Sequence, residues 1–231
     1  MQKMPQQIAD DFEAFAGRTV VITGGASGIG LATARMVVNR GGSVILMGRS
    51  PERLKAAREA LGSAASTIQL DVTDEDAVRT AFADIDRVDH LVTAAAGTLR
   101  GPLVDLDTRH ARQLFEVKYW GQHHSIKYGA PRLAPRGSVV LFSGWISRKP
   151  AAEMSTLAAI DGAIEALARI LALELAPVRV NAITPGQIDT PLWRSRLSET
   201  EAQAHFDRVG QATRSGASGP PMTSPKRSFS L

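Results

Sequence analysis

The sequence predicts an α/β domain built as a doubly wound parallel sheet, and three observations carry that prediction. Short apolar runs rich in β-branched residues alternate with helical stretches from Arg18 to Ile183. A glycine-rich turn, Thr23-Gly24-Gly25-Ala26-Ser27-Gly28-Ile29-Gly30, joins the first apolar run to the first helical stretch. The chain has 231 residues, 44% of them hydrophobic, which suits a single domain with a large core.

The elements follow in order. Thr19-Val20-Val21-Ile22 places the first strand at 18–23, and a helix is expected over 28–40. A strand at 43–48 leads to a helix over 51–61, which starts at Ser50-Pro51, a capping residue before a first-turn proline. A strand at 67–70 precedes a helix over 74–84, with Thr73-Asp74 as its start. Strands at 89–94 and 138–143 flank one long helix over 108–129. A second long helix over 151–176 is rich in Ala and Leu on most faces, so it should be buried against the sheet, a partner subunit, or both. Pro177 ends it, and the last strand is expected at 178–183. Residues 1–17 read as an N-terminal extension, 18–207 as the domain, and 208–231 as a disordered basic tail, because that end is rich in Gly, Ser, Pro and Arg.

Composition removes several function classes. Cysteine is absent, so disulfides and thiolate metal sites are excluded, in agreement with a cytoplasmic location. Asp10, Asp11 and Glu13 stand where a signal peptide would need an apolar core. The apolar region from Leu157 to Ala176 is broken by Asp161, Glu165, Arg169 and Glu174, too many charges for a membrane span. The net charge of +4 resides in Arg208, Arg214, Lys226 and Arg227; residues 1–207 are formally neutral, which argues against nucleic-acid binding. His110, His123 and His124 have no metal-ligand spacing, and no metal is expected.

The glycine-rich turn is a phosphate cradle. Backbone amides there must come close to a pyrophosphate, and side chains would block the approach. Its spacing, TGxxxGxG, resembles the cofactor loop of the short-chain dehydrogenase/reductase family. The resemblance extends from Arg18 to about Phe206 through ordered motifs. These are Gly48-Arg49-Ser50 after the second strand, Asp71-Val72-Thr73 after the third, Ala95-Ala96-Gly97 after the fourth, and Arg179-Val180-Asn181-Ala182-Ile183-Thr184-Pro185-Gly186 around the sixth. It implies a Rossmann-type fold and a nicotinamide cofactor.

An acidic residue ending the second strand would mark NAD, but Gly48 stands there. Arg49 offers a forked cationic donor to a 2′-phosphate, with Ser50 beside it as a second donor, so NADP(H) is the expected cofactor. The resemblance implies that Gly24, Ser27, Gly28, Ile29 and Gly30 hold the pyrophosphate and that Asp71 and Val72 hold the adenine. It also implies that Ala94, Ala95, Ala96 and Gly97 form the wall behind it, and that Pro185, Gly186, Ile188 and Thr190 hold the nicotinamide end. The family usually has two asparagines where Ala94 and Ala95 stand, a departure expected to loosen the central strands.

The family's usual Asn, Ser, Tyr and Lys are all changed. The run Leu171-Ala172-Leu173-Glu174-Leu175 fixes the register by resemblance and puts Leu157 at the Tyr position, Asp161 at the Lys position, Gly144 at the Ser position beside Ser143, and Lys118 at the Asn position. A shift of one residue would give Thr156, Ile160 and Ser143 instead. Lys118 and Asp161 are expected to form an ion pair that retains cofactor placement, Asp161 accepting from the ribose hydroxyls, with Lys118 or Ser143 as proton donor. The opposing reading makes Asp161 and Lys118 solvated helix residues. By the same resemblance Arg100, Trp145, Arg148 and Trp193 border a pocket for an aromatic or acidic substrate. The leading function is an NADP(H)-dependent oxidoreductase acting on a carbonyl or alcohol of unknown identity. A non-catalytic NADP(H)-binding subunit is the alternative. A homodimer through the two long helices is expected. A tetramer is doubtful, because the family's seventh strand and glycine-rich ending have no counterpart in this chain.

Overall fold

The computed structural model describes residues 14–194 and 198–214. Six parallel strands form one sheet: β1 (Thr19–Thr23), β2 (Ser43–Gly48), β3 (Ala65–Gln69), β4 (Val88–Thr93), β5 (Leu133–Phe142) and β6 (Arg179–Ile183). Their spatial order is β3-β2-β1-β4-β5-β6. Order reverses between β1 and β4, which makes the crevice at the carboxyl ends of these strands the place where ligands bind in doubly wound sheets. The fold is therefore the Rossmann-type arrangement read from the sequence.

Helices cover both faces. They are α1 (Gly28–Val38), α2 (Pro51–Leu61), α3 (Glu75–Ala83), α4 (Thr108–Phe115), α5 (Gly121–Gly129), α6 (Ser155–Glu174), α7 (Pro191–Arg194) and α8 (Glu199–Arg214). One face of the sheet buries Val20, Ile22, Val44 and Leu46 against Ala34 and Val37 of α1 and Leu54 of α2. The other buries Val21, Leu91, Val139 and Leu141 against Phe82, Ile126, Ile160 and Ile164. Alternate residues of β1 thus point into different cores, as a doubly covered sheet requires. Helix starts follow local chemistry: Ser50 accepts from Arg53 N before α2 and Asp74 accepts from Ala77 N before α3.

Strand β3 starts at Ala65 rather than 67 and α6 spans Ser155–Glu174 rather than 151–176, and four further differences from the sequence reading bear on the site or the ends of the domain. The stretch 108–129 is two α-helices joined by a π turn, Glu116–Trp120, closed by an i→i+5 bond from Gly121 N to Glu116 O. Strand β5 begins at Leu133, earlier than the 138 expected. Gly137 permits this, since a Cβ there would lie 2.6 Å from Asp89 O at the point where the β4–β5 register shifts. The N-terminal extension is joined to the domain at its end: Phe15 N donates to Arg40 O at 3.2 Å and its ring meets His90 edge-on at 5.7 Å. Helix α8 runs to Arg214, so residues 208–214 of the expected disordered tail are helical, while 215–231, like 1–13, lie outside the described residues. No helix among the described residues is long and apolar enough to cross a membrane.

Candidate active site

The cofactor residues expected from the sequence fall on five loops at the carboxyl edge of the sheet. Gly24, with φ +69°, packs its Cα against the end of β4, where a Cβ would lie 2.7 Å from Ala94 O. Ala94 N in turn donates to Thr23 O at 2.9 Å. These contacts seat the glycine turn directly on the Ala94–Ala95 backbone. Ser27 precedes α1 without a side-chain cap, so the first-turn N–H groups are left for an anion. Gly28 has φ +51°, and a Cβ on it would lie 3.4 Å from the Thr190 side chain, which brings the β6–α7 loop over the cradle. The residues present fit a pyrophosphate.

The second and third loops are equally defined. Arg49 is exposed, and its carbonyl accepts from Gln69 Nε2 at 3.3 Å. Ser50 is not a spare donor: its hydroxyl donates to Glu52 Oε2 at 2.8 Å while capping α2. The Ser50 hydroxyl, expected as a second donor beside Arg49, is thus engaged by its own helix turn. Asp71 closes a turn with Thr73, its Oδ1 accepting from Thr73 N at 3.0 Å and Oγ1 at 2.9 Å. Val72 O receives His124 Nδ1 at 3.3 Å, and the Val72 side chain fills the space where a Cβ on Gly121 would be. On the remaining loop, Trp145 N donates to Pro185 O at 3.2 Å, joining the segment after β5 to the one that carries Pro185, Gly186, Ile188 and Thr190.

Lys118 and Asp161 are brought together. Lys118 sits on the π turn, 6% exposed, and its Nζ donates to Asp161 Oδ1 and to Ser143 O, the latter at 3.3 Å. Asp161 is wholly buried on α6. The reading of these two as solvated helix residues is overturned. So is the expectation that Asp161 accepts from a ribose, because it has no exposed oxygen. Burial pushes the Lys118 amine below its ordinary range and the attraction of Asp161 opposes it; burial raises the Asp161 carboxyl, and Lys118 opposes that.

A glycine at position 144 makes the carboxylate possible. A Cβ on Gly144 would lie 2.5 Å from Asp161 Oδ2, an oxygen with no hydrogen-bond partner. Ser143, the other candidate acid, spends its hydroxyl on α6, approaching Asp161 O at 3.0 Å and Glu165 Oε1 at 3.1 Å. With one hydrogen and two acceptors it has none left for a substrate. Leu157, expected at the Tyr position, is buried in the core. Arg100 and Arg148 are engaged within the protein, by Glu153 at 2.8 Å and Glu165 at 3.1 Å. The side chain of Trp193 lies outside the described residues.

Sequence reasoning missed Gln122. This residue is 1% exposed and uses its whole amide: Oε1 accepts from Thr93 Oγ1 at 2.7 Å and Phe142 N at 2.9 Å, and Nε2 donates to Lys118 O at 2.7 Å and Phe142 O at 3.0 Å. A polar residue one turn after Lys118 was the available signal. Among the described residues no group of His, Cys, Asp and Glu could hold a metal ion.

The short chain dehydrogenase family model matches residues 18–201. The cis-4-hydroxycyclohexanecarboxylate dehydrogenase of Sinomonas cyclohexanicum is 34% identical over 191 residues, covering 78% of this chain and 77% of that protein. The L-fucose dehydrogenase of Oryctolagus cuniculus is 33% identical over 221 residues, covering 88% and 78%. The solved structure of a small-chain dehydrogenase in complex with NADPH is 31% identical with a TM-score of 0.70, covering 87% of this chain and 84% of that one. With the glycine cradle, the sheet order and these matches in agreement, the chain belongs to the short-chain dehydrogenase family of oxidoreductases.

Proposed function

We propose that this chain is an NADP(H)-dependent oxidoreductase that interconverts a ring-borne alcohol and its carbonyl, with Lys118 as the proton-transferring group. The observation that carries the reading is the buried Lys118–Asp161 pair, at the positions where the register read from the sequence puts the family's usual relay. The nicotinamide, when bound, supplies or accepts hydride. Lys118 Nζ has two protein acceptors and therefore one N–H bond to spare. In the reductive direction it gives a proton to the nascent alkoxide oxygen; in the oxidative direction the neutral amine takes the hydroxyl proton. Asp161 balances the charge that Lys118 gains or loses, which keeps the amine from shedding its proton outright in a buried site.

Arg49 supports NADP(H) over NAD(H), and the NADPH-bound relative agrees with it. The relatives named for hydroxycyclohexanecarboxylate and L-fucose carry their hydroxyl groups on rings, so such alcohols are the first substrates to try. A non-catalytic binding subunit is not favoured, since these relatives are named as dehydrogenases. A cytoplasmic homodimer through α4–α5 and α6 completes the reading.

Fluorescence titration with NADPH and NADH, followed by a panel of cyclic ketones and sugars, tests it. Tighter binding of NADPH, with turnover that Lys118→Ala abolishes, is the expected result. Binding without turnover on any carbonyl, or full turnover in Lys118→Ala, overturns it.

A further inference from the structure

Lys118 has to stand at one place relative to Asp161 and the Ser143 carbonyl, yet it sits on the least regular part of its helix. A π turn carries one residue more than an α turn, so its backbone groups need partners from elsewhere. Here the partner is Gln122. Its amide bonds Lys118 O on the π turn, Phe142 N and O at the end of β5, and Thr93 Oγ1 at the end of β4. All four bonds lie between 2.7 and 3.0 Å, and the side chain is cut off from water. The residue that follows β5 is Ser143, whose carbonyl receives Lys118 Nζ. One side chain therefore fixes both the backbone that carries the amine and the strand end that receives it.

We propose that Gln122 is the positioning residue of the site, holding the π turn against the ends of β4 and β5 so that the Lys118 ammonium meets Asp161 and Ser143 O. The proposal rests on the reading of Lys118 as the proton-transferring group. It also accounts for how the strand ends stay tied although alanines stand at 94 and 95: Gln122 crosses from β4 to β5 at the neighbouring residues Thr93 and Phe142. A fully satisfied buried amide is worth more to geometry than to net stability, because its bonds replace ones made with water.

The test uses Gln122→Met, which keeps the length and removes all four bonds, and Gln122→Glu, which keeps the two accepting bonds and loses the donating ones. Ile164→Val serves as a core control away from the network. In the apo protein labelled with 15N-lysine, the Lys118 side-chain resonance is the one missing from Lys118→Ala. It is expected to move in Gln122→Met, to move in Gln122→Glu, and to stay in place in Ile164→Val at a comparable loss of Tm. Turnover in Gln122→Met should fall roughly tenfold to a hundredfold, while the NADPH dissociation constant stays within about twofold, since a small displacement of a reacting group costs rate rather than cofactor affinity. An unmoved Lys118 resonance in Gln122→Met overturns the proposal whatever the turnover. If that variant does not fold, an unmoved resonance in Gln122→Glu does the same. Full turnover in Lys118→Ala would instead defeat the reading of Lys118, and the resonance would still decide the role of Gln122.

Discussion

Gly144 and Asp161 compete for one space: a Cβ on Gly144 would lie 2.5 Å from Asp161 Oδ2 and 3.2 Å from its Cγ. The carboxylate cannot swing aside, because its other oxygen holds Lys118 and no part of the residue reaches solvent. The small residue at 144, the carboxylate at 161 and the amine at 118 therefore depend on one another in space.

That dependence predicts a coupling. Gly144→Ala should cost about 1–3 kcal/mol as an overpacking change. In an Asp161→Ala background the same substitution should be nearly neutral, because the colliding oxygen is gone. A double-mutant cycle by urea unfolding measures the difference, and additivity of the two changes would show that the site relaxes freely.

The pair itself should not stabilise the fold. The folded-state pKa of Asp161 is raised above its ordinary 3.8, so its contribution to stability is full below that value and is lost as pH rises through the folded one. The folded-state pKa of Lys118 is lowered from 10.5, so its contribution is full above 10.5 and is lost as pH falls through the folded value. Where Asp161 is ionised and Lys118 protonated, both contributions are absent. Lys118→Met with Asp161→Leu should accordingly match or exceed the wild-type Tm near pH 7, with the advantage shrinking towards pH 3 and pH 11, about 4 kcal/mol being the upper end of such gains. Either change alone should cost about 3–5 kcal/mol by stranding a charge. A double variant less stable than wild type at neutral pH would mean the pair is structural.

In the proposed function, cofactor choice turns on Arg49. Its guanidinium has no partner within the protein among the described residues, whereas Ser50 is committed to Glu52 and to the α2 cap. Arg49→Ala should weaken NADPH by roughly ten- to a hundredfold, the worth of a charge-assisted hydrogen bond, and leave NADH within about twofold. Parallel weakening of both cofactors by Arg49→Ala would place the residue away from the 2′-phosphate.

The sheet was legible because its strands are short apolar runs of period-two or continuous burial, and because glycine, proline and capping residues mark their ends. Ser50 and Asp74 began helices where the sequence put them. The π turn was not legible, since a single inserted residue leaves helical periodicity almost intact on either side of Glu116–Trp120. The Lys118–Asp161 meeting was legible only through residue order compared with relatives, as the two are 43 positions apart. Two details were beyond that comparison. Gly144 matters for what it lacks, and Gln122 for strand ends that close around it only in the folded chain.

The two long helical stretches should carry the proposed homodimer. Trp120 on the π turn is 40% exposed and Ile170 on α6 is 53% exposed, large apolar side chains that a monomer would leave in water. Both belong to the segments expected to pair, and neither makes a contact that holds the Lys118 site. Trp120→Glu combined with Ile170→Glu should convert the dimer to monomer in sedimentation velocity at micromolar concentration, because each buried carboxylate without a partner opposes association by several kcal/mol. The single-chain fold should survive, since substitution of exposed residues usually changes stability by less than about 0.5 kcal/mol. An unchanged sedimentation coefficient would move the interface elsewhere, with the edge of β6 the next place to probe: among the described residues it pairs with β5 alone, and Ile183 on it is 45% exposed.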